Sequence, residues 1–231
     1  MSEDWLSKFE EKQIQKPKRV GEQKVISTSY MQIDDALGVH GLPLGKVIDL
    51  AGEPGSGKTS VALDIISSFQ ERNLSCVYLD LERAFDADFA YLRRVNCEDL
   101  LLFRPEKIDG IAEAGVTLME QGLADLIVFD TISAIPLDGI TLKDILNPLL
   151  QNLVKYDSSL LLLSQIRNDL AQGGITTPSN SIIDDVSNIR IMLRKKSIIK
   201  HLDVIIGHKV EVDIYKNDLA TPAKTEIELF I

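Results

Sequence analysis

The eight residues Gly52-Glu53-Pro54-Gly55-Ser56-Gly57-Lys58-Thr59 constrain this chain more than any other stretch. They read G-x-x-x-x-G-K-T, the spacing of a phosphate-binding loop. Residues 47–51 before them form an apolar run long enough for a buried strand, and residues 61–69 after them are apolar at helical spacing. Strand, glycine-rich loop and helix, in that order, are the context the motif needs. The glycines let the backbone curl until its N–H groups face phosphate oxygens, and the helix N-terminus adds partial positive charge. The candidate cradle is Gly52, Glu53, Pro54, Gly55, Ser56, Gly57, Lys58, Thr59 and Ser60. Lys58 can reach the β- and γ-phosphates of a nucleotide such as ATP, and Thr59 can offer its hydroxyl to Mg²⁺.

The rest of the chain reads as the α/β domain such a loop requires. Apolar runs at 75–80, 100–103, 126–130 and 160–164 join the strand at 47–51, and residues 107–122 and 141–156 have helical spacing between them. Strands alternating with helices imply a mostly parallel sheet covered on both faces. Residues 188–193, 209–215 and 225–230 have little helix between them, and several alternate apolar with polar, so the sheet should finish in antiparallel strands near one edge. Ser27, Thr28 and Ser29 ahead of Met31, Ile33, Ala36 and Leu37 predict a capped short helix ending by Gly38. The 231 residues then divide into an N-terminal arm, 1–24, and a core, 25–231. In the arm, Trp5, Leu6 and Phe9 share a helical face too short to hold a helix alone, so it docks or stays disordered.

Composition narrows the setting. No uncharged apolar run of about 18 or more residues is present, so no membrane span is expected. The acidic start without an apolar stretch does not resemble a signal peptide. Two cysteines, Cys76 and Cys97, do not make a disulfide framework, and a reducing cytoplasm is the simpler setting. A net charge of −10 argues against a whole surface built to grip nucleic acid, though not against a local basic stripe. Arg190, Arg194, Lys195, Lys196 and Lys200 form such a run, which could follow a phosphate backbone or be a solvated strand end.

Three further groups carry candidate chemistry. Asp130 closes an apolar strand where a second acidic ligand for Mg²⁺ is needed. Asp80, Glu82 and Asp86 follow another strand at the same sheet edge, and nucleotide hydrolysis needs a group there to polarise water. Glu82 is the first candidate and Asp80 the alternative. Gln165 follows the strand at 160–164, where its amide could sense a γ-phosphate and pass the signal to the loop-like stretch 171–180.

Taken together these motifs resemble the RecA recombinase core, from about Ile26 to the end of the sequence. Ile33-Asp34-Asp35-Ala36-Leu37-Gly38 and Gly41-Leu42-Pro43-Leu44-Gly45 are similar to that family's run before the phosphate loop. Asp80-Leu81-Glu82-Arg83-Ala84-Phe85-Asp86 is similar to the segment holding its catalytic glutamate, which puts that role on Glu82. The resemblance also implies adenine contacts at Asp86 and Phe89, the latter replacing a tyrosine. It implies the magnesium carboxylate at Asp130 and a phosphate sensor in Ser164-Gln165-Ile166-Arg167. Lys216-Asn217 resembles a late segment that reaches ATP across a subunit interface, with Asp218 where the family has a second lysine. The first DNA loop of the family is reduced here to Pro136-Leu137-Asp138-Gly139. The second, about 168–183, has neither lysine nor aromatic, and the family's C-terminal domain is expected to be absent.

The resemblance implies an ATP- and Mg²⁺-dependent ATPase of DNA recombination and repair, a homo-oligomer or filament on single-stranded DNA. DNA contacts would fall to Arg167, Arg190, Arg194, Lys195 and Lys196, and oligomer contacts to the N-terminal arm. Two alternatives stand beside it. One is a paralogue that regulates or scaffolds a recombinase or a damage-tolerance polymerase without strand exchange. The other is a RecA-like ATPase outside DNA repair.

Overall fold

The computed structural model describes residues 24–108, 110–135, 142–169, 174–176 and 180–230. Residues 1–23 of the N-terminal arm, Pro136–Gly139, and residues 170–173 and 177–179 of the loop at 168–183 lie outside the described residues. The central strand is β3 (Val47–Gly52), buried along its whole length. It leads through the glycine loop into α2 (Lys58–Gln70). Around it the chain adds β4 (Cys76–Asp80), β5 (Leu100–Phe103), β6 (Leu126–Asp130), β7 (Ser159–Gln165), β10 (Ile189–His201), β11 (Val204–Asn217) and β12 (Ala223–Phe230). These eight strands form one sheet in the order β12-β11-β10-β3-β7-β6-β4-β5. Pairing is parallel from β5 through β10 and antiparallel for β10–β11 and β11–β12, as the sequence pattern predicts.

Each face of the sheet carries its own apolar core. Strand residues alternate sides, so both faces of a parallel strand must be apolar when both are covered. In β7, Leu161 and Leu163 join the core under α2, with Val61, Ile65 and Phe69, whereas Leu160 and Leu162 join the core on the other face. That second face is covered by α4 (Ile111–Glu120) and α5 (Leu142–Tyr156), through Ile111, Met119, Leu146 and Leu149. Each such fully buried side chain contributes about 2 kcal/mol relative to exposure. Gly115 lets α4 approach closely, since a Cβ there would sit 2.6 Å from Leu149 Cδ2.

Smaller elements frame the phosphate loop. β1 (Val25–Ile26) pairs with β2 (Leu42–Pro43) on either side of α1 (Met31–Ala36). The serine and threonine expected to cap α1 act otherwise. The helix starts after Tyr30 with no side-chain cap, and the Asp34 carboxylate accepts instead from Thr28 N–H (2.8 Å), Thr28 Oγ1 (2.7 Å) and Ser27 Oγ (2.6 Å). Asp86 caps α3 (Ala87–Leu92). A short two-stranded piece, β8 (Arg167–Asp169) with β9 (Gly174–Thr176), precedes α6 (Asn180–Val186).

The antiparallel end departs most from the sequence expectation. β10 and β11 run well beyond 188–193 and 209–215, and join through Leu202 and Asp203, both at positive φ (48° and 63°). Only Ile189–Leu193 of β10 pair with β3, so the outer part of the hairpin projects past the glycine loop.

Candidate functional site

Parallel strands end together, so their C-terminal residues share one edge. The registers pair Gly52 with Gln165 and Asp80 with Asp130. That edge therefore gathers the glycine loop, the carboxylates after β4 and β6, and the amide ending β7. The loop needs its glycines. Gly57 has φ +97°, and a Cβ on Gly52 would lie 2.3 Å from Ser56 Oγ and 2.8 Å from the Leu193 carbonyl oxygen. Lys58 is buried and its Nζ donates to the carbonyls of Gly52 and Glu53, both at 2.9 Å. Burial lowers its pKa, and Asp130 and Glu82 pull it up, so both carboxylates lie within electrostatic reach. Thr59 is exposed at the first turn of α2. Ser56 Oγ is buried without a hydrogen-bond partner among the described residues.

The carboxylates behave differently. Burial raises the pKa of Asp130, and the nearby charges of Glu82 and Asp80 add to this, while a hydrogen bond from the Tyr78 hydroxyl and the charge of Lys58 oppose it. An acid destabilised by its acidic neighbours is one that a cation would relieve. Among the described residues no three His, Cys, Asp or Glu side chains cluster as metal ligands. The donor set of Thr59 and Asp130 fits magnesium that takes its other oxygens from phosphate and water.

Asp80 is committed to the fold. Burial pushes its pKa up, but Arg104 Nε (2.8 Å) and the backbone N–H groups of Ala84 (2.8 Å) and Phe85 (3.1 Å) donate to it and hold it below the ordinary value. Glu82 is exposed and accepts one weak bond, from Thr131 Oγ1 at 3.3 Å. Of the two carboxylates, it is the one left accessible at this edge. Gln165 is held through its backbone, which donates to Ser133 Oγ at 2.9 Å.

Beside the loop is a cavity of about 250 Å³ lined by Gly55–Ser60, Phe89, His208, Val210, Leu229 and Phe230. Phe89 is where the family resemblance implies a base contact. Asp86 is close by, though one of its oxygens accepts from Phe89 N–H at 3.0 Å. The wall from β11 and β12 was missed by sequence reasoning. Its only signal is the glycine at 57, where a Cβ would meet Leu229 Cδ1 at 2.2 Å.

The remaining candidates lie elsewhere. Lys216 pairs across β11 with Arg190, which pairs with Asp49, three positions before Gly52 and two strands away. That separation is on the order of 10 Å or more, and Lys216 Nζ donates to the Asp184 carbonyl at 2.5 Å. Lys216 is therefore not at its own chain's glycine loop.

The basic run is corrected in part. Arg190 is 2 % exposed, bonded through Nε to buried Asp49 (2.9 Å) and paired with Asp184, so it does not face a DNA phosphate. Arg194 pairs with Glu211 and Asp213, and Lys196 with Glu211. Lys195 and Lys200 are exposed, and among the described residues neither carries an ion pair. The Arg167 side chain lies outside the described part.

The sequence is similar to known proteins. Residues 8–145 match the family model of the RecA N-terminal domain. Protein RecA of Methylobacterium radiotolerans is 30% identical over 90% of this chain and 62% of its own length. Protein RecA of Paramagnetospirillum magneticum is 29% identical over 89% and 62%, and that of Caulobacter sp. (strain K31) 28% over 91% and 64%. The chain thus spans a little over three-fifths of the length of the curated relatives it matches. The family model covers more than half of the chain, and the chain belongs to the RecA family.

Proposed function

We propose that this protein binds ATP with Mg²⁺ and hydrolyses it, and that it works in DNA recombination and repair by assembling with other copies on single-stranded DNA. The observation that carries the reading is the convergence of Lys58, Thr59, Glu82, Asp130 and Gln165 on one sheet edge. The backbone N–H groups of the loop and Lys58 Nζ hold the phosphates, Lys58 exchanging its two carbonyl partners for phosphate oxygens. Thr59 and Asp130 would hold magnesium, which when bound neutralises charge on the β- and γ-phosphate oxygens. Glu82 accepts a proton from the attacking water, and Asp80, occupied by Arg104, keeps the Glu82 segment in place. Asp86 and Phe89 hold the base side. Gln165 senses the γ-phosphate, and Lys216 acts on a neighbour's nucleotide, which its distance from its own loop supports. DNA contact falls to Lys195, with Lys196, Arg194 and Arg167 as the further candidates.

A second reading is a regulatory member of the family that binds ATP without strand exchange. It is favoured by the internal pairing of Arg190, Arg194 and Lys196. ATPase turnover with and without single-stranded DNA, repeated over a salt series, separates the two. Stimulation with a salt-dependent midpoint supports the first, and DNA-independent turnover supports the second. No turnover in either arm rules out the ATPase.

A further inference from the structure

One cluster near the cavity is not used by this chemistry. Asp64 is on α2, on the helix that begins at Lys58. Arg93 follows α3, the helix that carries Phe89. The Arg93 guanidinium donates through Nε to Asp64 Oδ1 (2.9 Å) and through one terminal nitrogen to Asp64 Oδ2 and to the Tyr30 hydroxyl (2.9 Å). Its other terminal nitrogen donates to the Phe230 carbonyl at 3.0 Å. The Tyr30 hydroxyl donates to Asp64 as well. Both partners of the ion pair are largely buried, at 14 % side-chain exposure each.

One side chain thus ties four pieces of chain together: the start of α1, α2, the end of α3 and the end of β12. Two of these supply the aromatic walls of the cavity, Phe89 and Phe230. Gly55–Ser60 line the cavity as well, beside His208 and Val210 of β11, and receive no bond from Arg93 itself. A planar guanidinium donates in fixed directions, so it sets relative positions as well as adding attraction.

We propose that Arg93 is a positioning residue for the nucleotide base: it holds β12 and α3 against α2 and so sets the spacing between Phe89 and Phe230, leaving the phosphate cradle unaffected. The inference rests on the nucleotide reading above and extends it to a residue outside the cavity.

The test compares two ligands on the intact protein with Mg²⁺: ATP, and inorganic tripolyphosphate, which has no base. Calorimetry should show Arg93→Leu weakening ATP by about tenfold while tripolyphosphate stays within about twofold. In turnover assays KM should rise and kcat hold. Arg93→Lys, which keeps the charge but not the fork, should fall between. Tyr30→Phe removes only the hydroxyl and should shift ATP affinity in the same direction by less; it carries the test if Arg93→Leu fails to fold. Equal weakening of both ligands, or unchanged ATP affinity in both Arg93→Leu and Tyr30→Phe, overturns the proposal. A parent protein that binds neither ligand overturns the nucleotide reading instead, and that result needs no variant.

Discussion

Two carboxylates two residues apart, Asp80 and Glu82, illustrate what a side chain's partners decide. Glu82→Gln should keep ATP binding and lose turnover by about 10²–10⁴-fold, the usual contribution of a general base; parent-rate hydrolysis in this variant would remove the assignment. Asp80→Asn should act on the fold, because it removes the charge facing Arg104 and puts an NH2 donor in place of one of the two oxygens that accept from Arg104 and the Ala84 and Phe85 N–H groups. A loss of about 2 kcal/mol in urea unfolding near neutral pH is expected. The pH dependence has a definite sign. The folded pKa of Asp80 is depressed, so its contribution is full above the ordinary value of 3.8 and is lost as pH falls through the lower folded value. The gap between parent and Asp80→Asn should therefore narrow in acid; a gap independent of pH would contradict the assignment. Sequence reading placed both acids at the strand end and put Glu82 first, without the contact that sets the two apart. That contact depends on Arg104, which comes from beyond the neighbouring strand and follows no local spacing rule.

At the scale of elements, the parallel strands and the helices between them were legible because burial on both faces writes itself as unbroken apolar runs. The outer β10–β11 hairpin was not. Its turn is Leu202-Asp203, which adopts the positive φ usually supplied by Asn-Gly and so gives no turn signal. Ile198, Leu202, Val204 and Ile205 there are exposed, so no core pattern marks the strands either. The inner part of the hairpin depends on Gly52. β10 can lie against β3 at that point because Gly52 has no side chain to meet the Leu193 carbonyl. Backbone cannot swing aside as a side-chain tip can. Gly52→Ala should therefore lower stability by about 2 kcal/mol and weaken nucleotide binding together, as read by thermal melting and calorimetry. A variant that melts and binds like the parent would show that the two strands can part without consequence.

For the whole molecule, electrostatics is the deciding term. The chain carries 35 acidic and 25 basic side chains, and the structure uses three cations of its basic run to satisfy its own acids. A charge run is visible in sequence; its pairing is not, because Asp49, Glu211 and Asp213 reach it only across neighbouring strands. With two or three cations left for a strand of DNA, log affinity should fall with log salt at a slope of about −1.5 to −2. Binding detectable at low salt should be mostly gone near physiological salt, and Lys195→Glu with Lys196→Glu should abolish it. Tight, salt-resistant binding that survives this double change would put the DNA path elsewhere. Arg190→Gln should instead destabilise the protein by about 3 kcal/mol or more, since it leaves Asp49 buried and unpaired; an unchanged melting temperature would count against that. The wall formed by β11 and β12 also has a consequence in time. Domains fold from the N-terminal side as they are made, at roughly 5–20 residues per second. The strand under the glycine loop, β3, must wait for both neighbours, which begin only at Ser159 and Ile189. The cavity waits longer, until Phe230 has left the ribosome. Among nascent chains stalled at successive lengths, ATP should protect from protease only those that expose the whole of β12.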